Sequence, residues 1–121
     1  MDPAFSAAEE RARLAAADLV AAATHVVALH TIRPEDVRDE VDAVVLSRRW
    51  TSYAASRTLD EARDDLAFAG NARDEIEVIS ASFTSVRAGP GEDEVATGSA
   101  VIRRLAVLAA ECERRAALLR S

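Results

Sequence analysis

The sequence predicts an all-α protein, an antiparallel four-helix bundle formed by a single domain over residues 1–121. Two observations lead to this fold class. Apolar and small residues recur at alternating spacings of three and four along most of the chain, and the composition is dominated by the strong helix formers Ala, Leu, Arg and Glu. A side chain at every third or fourth position stays on one face of an α-helix, so the repeat predicts helices packed lengthwise against one another.

The first predicted helix runs from about Pro3 or Ala7 to about Leu29. Proline suits the first turn of a helix, where its missing N–H leaves no hydrogen bond unmade. One stripe of the helix is apolar or small throughout, which predicts that this stripe faces the core. Its members are Phe5, Ala8, Ala12, Ala15, Leu19, Ala22, Val26 and Leu29.

The second predicted helix runs from Pro34 to about Ser56. Pro34 occupies the position that proline prefers, and Glu35 and Asp36 follow in the first turn, where the helix dipole favours anions. This helix has two apolar faces, with valines on one and larger side chains opposite them.

The third predicted helix begins with Thr58 and Glu61, which have the spacing of a capping box. Gly70 and Asn71 interrupt it, because glycine is common just past a helix end and asparagine is a good N-cap. We expect the helix to be kinked or split there. The predicted core stripe continues in phase across the interruption: Leu59, Ala62, Leu66, Ala69, Arg73, Ile76, Ser80 and Phe83.

The fourth predicted helix follows Ala88-Gly89-Pro90-Gly91, the clearest turn in the sequence. Its stripe leaves arginines and glutamates on the opposite face, as expected of a helix with one side in water. The members of the stripe are Val95, Gly98, Ile102, Leu105, Ala109, Cys112, Ala116 and Leu119.

Charge and composition exclude several kinds of function. A net charge of −6 argues against nonspecific binding to nucleic acid or to an anionic membrane. We find no signal peptide and no apolar run near the roughly 18 residues that span a bilayer, and a single cysteine fits a reducing compartment, so a cytoplasmic protein is predicted. No lysine, no phosphate-binding glycine loop and no serine beside a histidine is present. The sequence implies no cofactor.

The second predicted helix carries the residues that depart from the pattern. Leu46, Trp50 and Tyr53 lie opposite its valine stripe, and Arg49 and Arg57 flank them. Either both faces are buried between two neighbouring helices, or these five residues form a protein interface or line a ligand cleft. Tryptophan and tyrosine are favoured at interfaces because each combines a large apolar area with one polar group.

Acidic residues support an alternative prediction, a site that binds a divalent metal ion. Asp36, Asp39 and Glu40 begin the second predicted helix, and Glu61, Asp64 and Asp65 begin the third. These clusters resemble the paired acidic motifs of all-helical nucleotide pyrophosphohydrolases, which hold magnesium. Antiparallel neighbours would place the two starts about 35 Å apart, however, so Asp74 and Glu77 are the expected neighbours of Asp36, Asp39 and Glu40. A solvated acidic surface, screened by arginines, explains the same residues without a metal.

These observations predict a small adaptor, regulatory or accessory subunit that acts through contact with a partner protein or a second copy of itself. An alanine-rich core buries little apolar area per residue, so self-association would add to its stability. The alternatives are a divalent-metal-dependent nucleotide hydrolase and a bundle that binds a small ligand.

Overall fold

A computed structural model of the chain describes residues 3–31, 57–86 and 92–120, with the side chains of 84–86 and 92–97 left out. These ranges form three α-helices and contain no strand: α1 (Pro3–Thr31), α2 (Leu59–Val86) and α3 (Glu92–Arg120). Each has 28 or 29 residues, so each is about 43 Å long.

Over the described residues the fold is a three-helix all-α arrangement, and the predicted four-helix bundle is wrong. Its topology is also wrong, because contacts between side chains fix the helix directions. Phe5 at the start of α1 stacks on Phe83 near the end of α2, with ring centroids 3.8 Å apart, so these two helices are antiparallel. Arg11 and Asp18 of α1 pair with Glu113 and Arg120 of α3 in the same order along both chains, so α1 and α3 are parallel. A four-helix up-and-down bundle would make the first and last helices antiparallel.

The second predicted helix, residues 34–56, lies outside the described ranges. The two ends that flank it meet, since His30 Nε2 at the end of α1 lies 3.1 Å from the carbonyl oxygen of Arg57.

The predicted stripes of α1 and α3 are confirmed wherever their side chains are described. On α1 every stripe member is buried except Ala8, which is half-buried, and on α3 every member from Gly98 to Leu119 is buried except the half-buried Ile102. Ala16 and Ala23 of α1 are also completely buried. They widen the buried surface because α1 packs along both other helices, whereas α2 and α3 contact each other less extensively.

The stripe of α2 is confirmed in part. Ala62, Ala69 and Ile76 are buried as predicted, but Arg73 is exposed and the neighbouring Ala72 is buried instead. A straight helix has 3.6 residues per turn, so a strict 3.5-residue stripe drifts around it, and one residue replaces its neighbour after a few turns.

The capping box that opens α2 is confirmed. Thr58 Oγ1 accepts a hydrogen bond from the Glu61 backbone N–H at 3.1 Å, and Glu61 Oε1 accepts one from the Thr58 N–H at 3.3 Å. Of the two alternatives predicted at Gly70-Asn71, a kink or a split, the split is wrong, because α2 is one continuous helix through both residues. Helical packing on both sides outweighs the weak helix propensity of these two residues.

The continuity of α2 at Asn71 can be checked by the sign of a change in the free energy of unfolding. Replacing Asn71 by alanine is expected to raise the free energy of unfolding by about 0.5 kcal/mol, because Asn71 is exposed in a helix interior and alanine has the higher helix propensity. Urea unfolding followed by circular dichroism measures it. If Asn71 were the N-cap of a new helix, the same change would instead cost about 1 kcal/mol.

Candidate functional site

The residues predicted to form an interface are described only at one end. Leu46, Arg49, Trp50 and Tyr53 lie outside the described ranges, so their role stays a prediction. Arg57 is described, and it joins three features. Its carbonyl oxygen contacts His30, its guanidinium pairs with Glu61, and its Nε is buried with no hydrogen-bond partner among the residues that the structure describes. The hydrogen bond from Arg57 also lowers the pKa of the Glu61 carboxyl.

The acidic residues of the alternative prediction are divided in the same way. Asp36, Asp39 and Glu40 lie outside the described ranges, and Asp74 and Glu77 lie on α2. Glu77 forms an ion pair with Arg13 of α1. Within 3–31, 57–86 and 92–120, no group of three His, Cys, Asp or Glu side chains could hold a metal ion.

Arg13 is the centre of a polar network that joins α1 to α2. Its guanidinium donates to Glu9 on its own helix at 3.1 Å, to Glu77 on α2, and to Ser80 Oγ at 3.2 Å. The Ser80 hydroxyl donates in turn to Glu9 at 3.0 Å. The network closes across the two helices and fixes their register between the first part of α1 and the last part of α2.

A second network joins α2 to α3 around a buried carboxylate. Asp65 is only 8% exposed and accepts a hydrogen bond from Arg115 Nη1 at 2.8 Å. The same guanidinium donates through Nε to Glu111 and lies 4.1 Å from the centre of the Phe68 ring. Arg114 and Arg115 together lower the pKa of Glu111 to about 2, mainly through the hydrogen bond from Arg114.

Sequence reasoning grouped Asp65 with the acidic residues at a helix start and missed its burial. The signal was its spacing: Ala62, Asp65, Ala69 and Ala72 repeat at three and four, so Asp65 occupies a core position. A carboxylate buried there needs a cation, because burying an unpaired charge is costly.

Cys112 was expected to be buried and unreactive. It is completely buried in the core, and burial raises the pKa of its thiol. A thiol that stays protonated is a poor nucleophile, so the structure gives this cysteine no chemical role.

A groove of about 770 Å³ runs between α1 and α2. We call it the α1–α2 groove. Small or apolar residues from both helices form its floor, and two arginines and two carboxylates lie along its edges. Its lining residues are Arg13, Ala17, Val20, Gly70, Arg73, Asp74, Ile76 and Glu77.

Beside the groove lies the side of α1 that faces away from both other helices, which we call the outer face of α1. Over the last 18 residues of α1, from Leu14 to Thr31, this face carries no Asp, Glu, Arg or Lys. Asp18 is the one Asp, Glu, Arg or Lys between Leu14 and Thr31, and it pairs with Arg120 of α3. His25 and His30 in this stretch are half-buried. The exposed residues of this face are Leu14, Ala17, Ala21, Thr24, Ala28 and Thr31. The exposed sides of α2 and α3 differ from it because they carry Asp60, Arg63, Arg103 and Arg114 among others.

The apolar character of α1 also bears on membranes. The expectation that no segment is long and apolar enough to span a bilayer is wrong, because α1 meets both conditions. Within the protein, 44% of that stretch is buried. Core helices of soluble proteins and signal sequences share the same length and composition.

Comparison with protein-family models, with curated proteins and with solved structures finds no match to this chain.

The buried pair of Asp65 and Arg115 makes a prediction about stability. Asp65→Ala is expected to lower the free energy of unfolding by about 1–3 kcal/mol, because it leaves a half-buried guanidinium with one partner fewer. Asp64→Ala is the control: its carboxylate lies 3.5 Å from the same guanidinium, but its side chain is 79% exposed, so a loss within about 0.5 kcal/mol is expected. Urea unfolding measures both.

A double variant tests whether stability needs the ion pair itself or only side chains that fill the same space. Asp65→Leu combined with Arg115→Met is expected to recover most of the loss, because apolar side chains of similar size can replace a buried ion pair. Equal losses for Asp65→Ala and Asp64→Ala would contradict the assignment of Asp65 to the core.

Proposed function

We propose that this protein is a small cytoplasmic adaptor, regulatory or accessory subunit that acts through protein–protein contact and self-associates. The outer face of α1 carries the proposal. A helix on the surface of a monomeric protein normally directs charged side chains into water. α2 and α3 do so, whereas α1 exposes no Asp, Glu, Arg or Lys beyond Asp18.

The side chains on this face suit contact with another helix. Ala17, Ala21 and Ala28 are small, so a second helix could approach the α1 backbone closely along this face. Leu14 is 64% exposed and adds the apolar area that association would remove from water. The other large exposed apolar residues, Val78, Val107 and Leu118, are divided between α2 and α3, and single exposed residues of that kind need no partner.

The five residues predicted to form an interface adjoin this face in the chain. The contact between His30 and Arg57 brings together, at the end of α1, the described residues that flank 32–56. We therefore include Leu46, Arg49, Trp50, Tyr53 and Arg57 in the proposed interaction surface.

The two alternatives receive less support. The metal-dependent hydrolase requires five carboxylates, of which the described ranges contain Asp74 and Glu77, and Arg13 already neutralises Glu77. A small ligand would find an open groove between α1 and α2, with charged side chains along its edges. Pockets that bind small molecules enclose most of the ligand surface.

A charge placed on the outer face of α1 tests the proposal. Ala21→Glu is expected to weaken binding to a partner or to a second copy at least tenfold, because an unpaired carboxylate would be buried in the contact. Ala117→Glu makes the same change on the exposed side of α3 and is expected to leave binding unchanged.

Two measurements cover both kinds of partner. Sedimentation at several concentrations reports self-association, and quantitative mass spectrometry of captured proteins reports a different partner, with each variant compared with the wild type. If neither measurement distinguishes Ala21→Glu from the wild type, the outer face of α1 is not an interaction surface.

A further inference from the structure

We propose that the α1–α2 groove is the surface through which two copies of this chain associate around a two-fold axis. The proposal rests on the proposed function, because it names the partner of an interaction surface that includes α1.

Gly70 is the first observation. It lies inside a 28-residue helix, where glycine costs about 1 kcal/mol relative to alanine. A Cβ atom at Gly70 would meet nothing within 4 Å, so no neighbour in the described ranges requires the absence of a side chain. At Gly98 of α3, by contrast, a Cβ would lie 3.7 Å from the Phe83 ring. A second chain that packs closely against α2 at Gly70 would account for the glycine.

The charges at the edges of the groove are the second observation. The chain has a net charge of −6, so two copies repel each other over most of their surfaces. The formal charges in the groove cancel, because two arginines (Arg13 and Arg73) and two carboxylates (Asp74 and Glu77) line it. A two-fold axis sets a surface against itself, so a self-complementary surface must offer both signs.

Arg73 and Asp74 can satisfy this requirement directly. Both are exposed, and neither forms an ion pair with any other part of the chain that the structure describes. They are adjacent at the middle of α2. A two-fold axis near them would place Arg73 of each copy beside Asp74 of the other, so that one contact forms twice.

The available area is the third observation. α1 and α2 are each about 43 Å long, and two adjacent helices present a strip about 20 Å wide, or roughly 850 Å². A stable interface buries about 800 Å² on each partner. The face formed by α1 and α2 is therefore large enough for a dimer.

Sedimentation equilibrium of the full chain at several concentrations tests the proposal. We expect a dimer whose dissociation constant rises at least tenfold in Gly70→Gln, because the added side chain blocks close approach. A similar rise is expected in Arg73→Glu, because the edge of the groove becomes acidic on both copies. Combining Arg73→Glu with Asp74→Arg is expected to restore the dimer by exchanging the two charges.

Matched variants on α3 are the controls. Ala117→Gln and Arg103→Glu make comparable changes on exposed positions away from the groove, and each is expected to leave the dissociation constant within twofold of the wild type. Circular dichroism shows that each variant is folded.

Two results would overturn the proposal. One is a monomer at every concentration, whether the groove is covered by residues 32–56 or by another protein. The other is a dimer that tolerates both Gly70→Gln and Arg73→Glu. A monomer that still binds another protein in an Ala21-dependent way overturns self-association and leaves the proposed contact with a partner protein standing, whereas a monomer without such binding overturns both.

Discussion

α1 must contact two helices at once, and the rest of the structure depends on how it does so. Adjacent alanines, Ala15 with Ala16 and Ala22 with Ala23, are all buried. In each pair one side chain turns toward α2 and the other toward α3, because neighbouring residues differ by about 100° around a helix. Small side chains on both flanks let both helices approach closely, so α1 becomes the central element without a bulky core residue at every turn.

This arrangement has an energetic consequence. An alanine contributes less buried apolar area than a leucine, so the core gains its stability over the full length of three long helices. The networks around Arg13 and Arg115 add directional contacts at the edges of the core. Exposed ion pairs contribute little free energy, but opposite charges at fixed positions favour one register over a shifted one. The pair of Asp65 and Arg115 differs because its carboxylate is buried, so it constrains the packing of α2 against α3 most strongly.

The helices and most of their buried faces could be predicted from the sequence, but their number and arrangement could not. A stripe such as Leu105 to Leu119 shows which side of a helix is buried, because spacing alone determines the face. It does not show which helix covers it.

Alanine adds to this difficulty, since it is common both in cores and on surfaces. The burial of Ala16 and the exposure of Ala17 therefore follow only from the positions of α2 and α3. Asp65 and Arg73 show the same limit, because a drift of the stripe by one residue exchanges a core position with an exposed one. Of the proposed site, the sequence identified Arg57 and the acidic residues of α2, whereas the groove exists only once α1 and α2 are packed together.

The contrast between the two sides of α1 connects packing to function. Alanines that face inward permit close contact with α2 and α3, and alanines that face outward leave an uncharged surface that could receive another helix in the same way. Close approach of the helices to α1 requires small inward side chains, and the variant Ala16→Leu enlarges one of them. Urea unfolding is expected to show a loss of about 1–3 kcal/mol in the free energy of unfolding, because added methylenes in a filled core force the helices apart. The control is Ala7→Leu on the exposed side of the same helix, for which almost no loss is predicted. An unchanged or higher free energy of unfolding in Ala16→Leu would show that close packing against α1 does not require a small side chain at this position.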